Sequence, residues 1–266
     1  MNKRSWLFPC FLIAFIFLGP IFISSTFAKD KAPPPKGVVY IAKYLAQPFP
    51  QSGSDNPSIW KETPSYSLER PKNTTENIPA SLKATLGDRI KESGSVKFLW
   101  NEKGLYVRGE FQDSDIVAEG TKDQEHHYTL GDLMEVFLKP AAQTWYWELY
   151  ATPQKLKTAF FFPGGGRLFL PSCAENPSDL SVDAFLQGTL NQWKDRDQGW
   201  IATMFVPIQT LTSQGDSFGG GSHWKVLLGR YNYSRYLRQV EHSSAPQLSA
   251  LSFHLQEEYA TLKLEK

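Results

Sequence analysis

The chain has 266 residues, of which 14% are aromatic and 21% charged, and its formal charge is +1. This near-neutral balance excludes the strong positive field typical of nucleic-acid-binding proteins and of proteins held on anionic membranes. The length suffices for one domain with a sizeable hydrophobic core.

The N-terminus has the layout of a secretory signal peptide. Lys3 and Arg4 supply positive charge, residues 11–23 are mostly apolar, and small residues precede Ala28. These features predict cleavage after Ala28, so residues 1–28 are expected to be removed on export to the periplasm or the medium. The apolar run is shorter than the roughly 20 residues that cross a bilayer, and an uncleaved anchor is the alternative.

The expected mature chain begins with a linker. Residues 29–37 are polar and rich in proline, which is typical of a tether, and residues 38–266 are expected to form one folded domain. Loss of Cys10 with the signal peptide would leave Cys173 as the single cysteine. A single cysteine excludes an internal disulfide and a cysteine-based zinc site.

Short runs of alternating apolar and polar residues dominate the rest of the chain. A hairpin is predicted where Gly104 closes the loop between two such runs. Helical periodicity is confined to residues 79–86 and a turn at 208–211. Many short strands separated by turn residues predict an all-β fold, an antiparallel β-sandwich with two sheets of the jelly-roll-like or immunoglobulin-like kind. The predicted strands cover residues 96–100, 105–111, 133–138, 145–151, 158–162, 200–206, 225–231 and 260–264.

Motifs of catalysis are missing from the sequence. It contains neither Gly-x-Ser-x-Gly nor His-Glu-x-x-His, and its two glycine triplets lack the ending of a phosphate loop. His126 and His127 are adjacent, which favours a solvated polar loop over a shared metal ion. Asp132 and Glu135 have the odd spacing that puts strand residues on opposite faces, unlike the carboxyl pair of a glycosidase. We therefore expect a protein that is not an enzyme.

Aromatic residues are the positive feature of the sequence. Sugar rings stack their apolar C–H faces on aromatic rings, while their hydroxyls bond to carboxylates, amides and arginine. In the strand near residues 145–152, Trp145 and Trp147 share a core-like face with other apolar residues. The other face is mixed aromatic and polar, which suits a sugar, although a plain solvated face is the alternative. It carries Tyr146, Glu148, Tyr150 and Thr152.

Seven segments in order along the chain resemble carbohydrate-binding module family 9, a group of β-sandwich domains in secreted bacterial proteins that act in polysaccharide breakdown. They include a Leu-Trp before and a Leu-Tyr-Val after the predicted hairpin turn, an Asp-x-x-Glu-x-Phe strand, and a turn with the sequence Asp-x-Gly-Trp, similar to the family's Asp-x-x-Gly-Trp turn. The similar segments are residues 55–61, 96–113, 131–140, 146–153, 188–211, 224–232 and 253–264.

The resemblance implies a sugar held between two tryptophans, with help from polar residues on neighbouring strands. Glu135 stands where the family has a sugar-contacting glutamate, while Tyr150 replaces an arginine and Thr152 an asparagine. Neither sandwiching tryptophan is present: Tyr128 is the nearest substitute for the first, and residues 247–253 contain none for the second. The resemblance also implies that structural calcium is possible, with oxygen ligands of the right kind at Asp55, Asp113 and Asp115.

These observations lead to one interpretation and two alternatives. We expect a secreted, non-catalytic module that binds a poly- or oligosaccharide and uses no cofactor, with no nucleic-acid partner and no membrane contact beyond the export signal. Aromatic residues would stack on the sugar, glutamates would accept and Arg230 would donate hydrogen bonds. The alternatives are a haem-binding electron-transfer module, with Met134, Met204 or a histidine as axial ligand, and an interaction domain with a degenerate sugar site. The expected ligand-binding residues are Tyr128, Glu135, Tyr146, Glu148, Tyr150, Thr152 and Arg230.

Overall fold

The computed structural model describes residues 37–49, 58–72, 90–165 and 179–266. The expected signal peptide, nearly all of the expected linker, the predicted helical turn at 79–86, Asp55 and Cys173 lie outside these residues. No helix within them is long and apolar enough to cross a membrane.

The described residues form twelve β-strands, one short α-helix and a few 3₁₀ turns. The strands are β1 (Val39–Tyr44), β2 (Tyr66–Ser67), β3 (Gly94–Asn101), β4 (Gly104–Gln112), β5 (Leu133–Pro140), β6 (Tyr146–Ala151), β7 (Lys157–Phe162), β8 (Ser181–Gln187), β9 (Gly199–Pro207), β10 (Trp224–Asn232), β11 (Glu241–Ala245) and β12 (Ala260–Glu265). The helix is α1 (Ile208–Leu211), and 3₁₀ turns lie at Ser58–Trp60, His127–Thr129 and Gln256–Glu258.

The all-β class predicted from the sequence is confirmed, and so are all eight predicted strands and the turn at α1. The hairpin between β3 and β4 closes at Gly104, whose φ of +150° suits glycine, and a Cβ there would lie 2.1 Å from the Val206 carbonyl oxygen. The sequence did not indicate β1, β2, β8 or β11. The β11 sequence, EHSSA, has no apolar alternation, although four of its five residues are buried.

All twelve described strands belong to one hydrogen-bonded sheet. Its order is β7-β6-β5-β10-β12-β1-β3-β4-β9-β8, with β11 added beside β10 and β2 beside β3. The pairing is antiparallel except where β1 runs parallel to β12 and to β3. The sheet curves, so that β6 approaches β9 across the interior.

The inner face of the curved sheet holds the main core. Every second residue of the strands in the two halves of the sheet points into this core. Trp147 from β6 and Trp200 from β9 are examples. A second apolar cluster lies on the outer face of β7, β6, β5 and β10. It contains Phe137 and Tyr146 from the strands, and Phe253 from the segment between β11 and β12 covers it. This outer face is the one on which the sequence places the sugar site.

Candidate functional site

Three of the predicted ligand-binding residues form a compact group on the outer face, here named the acid–tyrosine cluster: Glu135, Glu148 and Tyr150. Glu135 on β5 pairs directly with Tyr150 on β6, so their side chains project from the same face. Glu148 lies two residues before Tyr150 on that face, and the Tyr150 hydroxyl donates a hydrogen bond to Glu148 Oε1. The alternation read from the sequence placed Glu148 and Tyr150 on one face, and the family resemblance added Glu135.

The acid–tyrosine cluster is almost completely shielded from water. Glu135 is 2% exposed, Glu148 5% and Tyr150 1%. Burial raises the pKa of Glu148 to about 7 and the pKa of Glu135 well above its usual range, where the nearby Glu148 charge adds to the effect. Within the described part of the chain, Oε2 of each glutamate has no hydrogen-bond partner. At neutral pH the pair therefore holds at least one proton.

A covering segment, residues 246–259, closes the outer face. The Tyr146 hydroxyl lies 2.9 Å from His254 Nδ1, and His254 Nε2 lies 3.9 Å from Glu148 Oε2. The Phe253 ring contacts Phe137 at 6.3 Å between centroids. The sequence predicted a shallow open surface here, but the structure has a packed aromatic layer instead, because Phe253 and His254 fill the space above the strands. A sugar cannot reach the acid–tyrosine cluster with this segment in place.

Gly229 makes room for the covering segment. It pairs with Glu135 across β10 and β5, and a Cβ at this position would lie 2.7 Å from the Phe253 ring. We expect Gly229→Ala to lower the free energy of unfolding by about 1–3 kcal/mol, because the added methyl overpacks this layer. Gly220→Ala is the control: that residue is exposed, its Cβ would meet only Trp100 at 3.9 Å, and its effect should stay within about 0.5 kcal/mol. Equal stability of both variants in urea unfolding would show that Phe253 does not pack on Gly229.

Two other predicted site residues lie at the margins of the covered face. Tyr128 stands in a 3₁₀ turn, its ring 6.0 Å from that of Tyr231, and its carbonyl oxygen accepts a hydrogen bond from Tyr233. The Thr152 hydroxyl accepts a hydrogen bond from the amide of Leu156 at 3.1 Å and so closes the turn that leads to β7. Thr152 is buried, and its hydroxyl has this structural role.

Arg230 does not join the predicted site. It pairs with Met134 across β10 and β5, while its neighbour Gly229 pairs with Glu135, so Arg230 projects to the inner face. Its guanidinium donates to the carbonyl oxygens of Glu92 and Gln112 at 2.9 and 2.7 Å. The prediction that Arg230 would share a surface with Glu135 is thus wrong, because strand neighbours face opposite sides.

Arg230 instead serves a buried ion pair with Asp113, at 3.2 Å. Burial raises the pKa of Asp113 to about 6, and the Arg230 charge opposes that rise.

Asp115 is held in a similar way by the backbone amide and the guanidinium of Arg235. Because an arginine already neutralises each carboxylate, the pair of aspartates does not fit the calcium site that the family resemblance implies. The described residues contain no group of three or more candidate metal ligands.

The histidines and methionines weighed in the sequence have packing roles. His127 is 1% exposed, in contrast to the solvated loop expected for it, and burial lowers its pKa. Met134 and Met204 are fully buried in the main core. A haem bound through either sulfur would have to displace that core.

The structure has an open concave site elsewhere, here named the loop cleft. It has a volume of about 430 Å³ and lies where β4 and β10 end and β3 and β11 begin. Its lining includes four basic residues, Arg70, Lys91, Arg196 and Arg238, and two acidic residues, Glu92 and Glu241. Tyr236 and Leu251, 49% and 47% exposed, add apolar surface.

Tyr236 is the main aromatic side chain of the loop cleft. The guanidinium groups of Arg196 and Arg235 lie 5.0 and 4.7 Å from its ring centroid. Its hydroxyl accepts a hydrogen bond from Arg235 at 3.1 Å. His242 also lines the cleft, and burial lowers its pKa to about 4, so it is uncharged at neutral pH. An aromatic ring beside several hydrogen-bond donors is the chemistry that holds a polar ring-shaped ligand.

Sequence reasoning missed the loop cleft. Most of its residues come from segments between strands, where neither the strand alternation nor the helical period applies. The one usable sign was the run Arg235-Tyr236-Leu237-Arg238, in which two arginines flank a tyrosine and a leucine. This run lies close to residues 91–92 and 196 only because of the strand order, which cannot be read from the sequence.

Comparison with protein-family models and with curated protein sequences gives no match. Solved structures do match. One is a candidate carbohydrate-binding protein from Bacteroides uniformis ATCC 8492, with a TM-score of 0.65, 12% identity, and coverage of 86% of this chain and 99% of that one.

A carbohydrate-binding module of family 9 from Caldicellulosiruptor kristjanssonii matches in two complexes. The complex with cellotriose has a TM-score of 0.51, 12% identity, and coverage of 85% of this chain and 93% of that one. The complex with glucose has a TM-score of 0.51, 10% identity, and coverage of 84% and 94%. At these identities the likeness concerns the fold. The chain has the fold of carbohydrate-binding module family 9.

Proposed function

We propose that this chain is an exported, non-catalytic module that binds a saccharide. Its fold is that of modules crystallised with cellotriose and glucose, and its two facing sheet halves would act as the two layers of a jelly-roll-like sandwich. The signal-peptide pattern at residues 1–28 supports export.

The loop cleft is the proposed binding site. The observation that carries this proposal is a concave surface in which a half-exposed tyrosine stands beside arginine donors. Tyr236 and Leu251 would contact the C–H faces of a sugar, and the side chains of Arg196 and Arg238 would bind its oxygens. The acid–tyrosine cluster, by contrast, is buried beneath the covering segment.

Replacing Tyr236 with alanine tests the site. Using residues 29–266 and calorimetry against neutral and acidic oligosaccharides, we expect the variant to bind about five- to 150-fold more weakly. The loss of stacking on one aromatic ring is worth roughly 1–3 kcal/mol in comparable nucleic-acid sites. Trp193→Ala is the matched control, since Trp193 is 71% exposed but does not line the cleft. This variant should bind the saccharide with the same affinity as the wild type.

A further variant separates the two candidate locations. Glu135→Gln should leave sugar affinity unchanged if the ligand binds in the loop cleft. If Glu135→Gln abolishes binding while Tyr236→Ala does not, the sugar binds beneath the covering segment, and the proposed location is wrong. If the folded wild type binds no saccharide across plant, algal and bacterial glycans, the proposed function itself is wrong.

A second candidate function is an interaction domain whose ancestral sugar site is lost. The observation that favours it is the covering segment, which occupies the outer face with Phe253 and His254. Binding to a protein from the same source, together with no saccharide binding, would support this alternative. The haem-binding alternative has no comparable support, because Met134 and Met204 pack inside the main core.

A further inference from the structure

We infer that the loop cleft selects an anionic saccharide, one that carries a carboxylate or a sulfate ester on its ring. This inference rests on the proposed function and narrows its ligand class. It follows from how the charges that line the cleft are used: the acidic side chains bond inward to the protein, and three cations are left facing the cleft.

Both carboxylate oxygens of Glu241 accept hydrogen bonds from other groups of the protein. Oε1 accepts hydrogen bonds from Arg70 Nη2 at 3.1 Å and from the backbone amide of Lys91 at 2.7 Å. Oε2 accepts one from the backbone amide of Glu92 at 3.1 Å. Glu241 is buried, so its charge is held in place by these partners and by the Arg70 ion pair.

Glu92 is used in the same way. Its Oε1 accepts a hydrogen bond from the amide of Ser114 at 3.0 Å, and its Oε2 accepts one from Asn232 Nδ2 at 2.8 Å. Glu92 is also buried. Neither glutamate therefore offers a free carboxylate to a sugar hydroxyl, and neither pairs with the remaining cations of the cleft.

Lys91, Arg196 and Arg238 are the cations left for a ligand. All three line the cleft and are exposed, and none forms an ion pair with another residue that the structure describes. Arg196 makes contact with the Tyr236 ring and, at 3.5 Å, with the Ser114 hydroxyl. A ligand anion would meet three positive charges without having to break an existing ion pair.

The side-chain types indicate an oxyanion on a sugar ring. The planar guanidinium fork binds carboxylate and sulfate-like groups through two parallel hydrogen bonds. Tyr236 and Leu251 add the apolar surface that a pyranose ring requires and that a small inorganic anion would not use. A cleft of about 430 Å³ is within the range of small-molecule sites. A neutral sugar would leave the three charges unmatched.

The test compares three probes on residues 29–266: trigalacturonate, a sulfated carrageenan oligosaccharide and cellotriose. We expect one of the two anionic probes to bind at least tenfold more tightly than cellotriose, and its affinity to fall as salt rises from about 50 to 500 mM. The preferred anionic probe identifies the group as carboxylate or sulfate. Lys91→Gln, Arg196→Gln and Arg238→Gln should each weaken that probe about three- to tenfold and weaken cellotriose by a smaller factor, because only the anionic probe loses a charge–charge attraction.

Lys122→Gln is the matched control, because Lys122 is exposed and lies outside the cleft, and it should bind the anionic probe as the wild type does. Equal affinity for cellotriose and both anionic probes, with no effect of salt or of the cleft variants, would overturn this inference and leave the proposed function intact. If Lys122→Gln weakens binding as much as the cleft variants, the attraction is a general charge effect and the inference is also wrong. If no saccharide binds at all to the folded protein, the proposed function fails as well.

Discussion

Replacing Arg230 with methionine is expected to lower the free energy of unfolding by about 3–5 kcal/mol, because the substitution leaves a buried carboxylate without its cation. Arg230 is 1% exposed and pairs with Asp113 at 3.2 Å. Its guanidinium also binds two backbone carbonyl oxygens, and it lies 5.0 Å from the Phe111 ring centroid. Methionine fills much of the same volume but satisfies none of these acceptors.

The double variant Arg230→Met with Asp113→Asn separates the charge from the packing. If the unpaired carboxylate causes most of the loss, the double variant should recover a large part of it, because asparagine removes the buried charge and can still accept from Trp200 Nε1. The measurement is urea unfolding of all variants at pH 7. A double variant as unstable as Arg230→Met alone would show that packing and the backbone contacts dominate.

The second large effect concerns the pH dependence of stability. Below the ordinary pKa of 4.5, Glu148 is protonated in both the folded and the unfolded chain. Because burial raises its pKa in the folded protein to about 7, the stability it contributes is complete below pH 4.5 and is lost as the pH rises through 7. Glu148→Gln keeps the neutral form at every pH. The variant should therefore gain up to about 3 kcal/mol over the wild type between pH 4.5 and pH 8, at 1.36 kcal/mol for each pKa unit.

The difference between the two proteins is the quantity to measure, because other groups titrate in the same range. Burial lowers the pKa of His254 and of His242 to about 4, so their contribution is lost as the pH falls from 6.5 through 4, the opposite sign. His242 is the same in wild type and variant, so its effect cancels in the difference. His254 lies 3.9 Å from Glu148, and its contribution is confined to pH values below 6.5, so the difference is read between pH 6.5 and pH 8. Glu62→Gln, which removes one carboxyl group at an exposed position, is the control variant. A flat difference for Glu148→Gln would mean that water reaches the carboxyl.

The two effects reflect a common feature of this protein, which buries charged and polar groups on both faces of one sheet. On the inner face, Arg230 and Asp113 form a buried ion pair. On the outer face, Glu135 and Glu148 form no ion pair with an arginine or lysine among the described residues, and burial raises the pKa of both. In both arrangements burial raises a carboxyl pKa toward neutrality, to about 6 for Asp113 and to about 7 for Glu148, so both respond to pH in this range.

The sequence by itself determined the all-β class and the strands with regular alternation. In those strands the side-chain period of two is set locally, so Glu148 and Tyr150 could be placed on one face from the order of residues alone. It also indicated that both stacking tryptophans of the family are replaced. Each of these conclusions depends only on residues that are near one another in the chain.

The tertiary structure determined which parts of the chain pack against those strand faces. The covering segment lies about 100 residues beyond the acid–tyrosine cluster in the sequence, yet Phe253 and His254 pack on it and turn an expected open surface into a buried one. Arg230 was separated from Glu135 by a pairing register that the local pattern did not contain. The loop cleft likewise assembles residues from near positions 70, 91, 196 and 238. These contacts depend on the order and register of strands that are far apart in the sequence. Strand order and register come from the packing of the whole core, and local alternation carries no information about them.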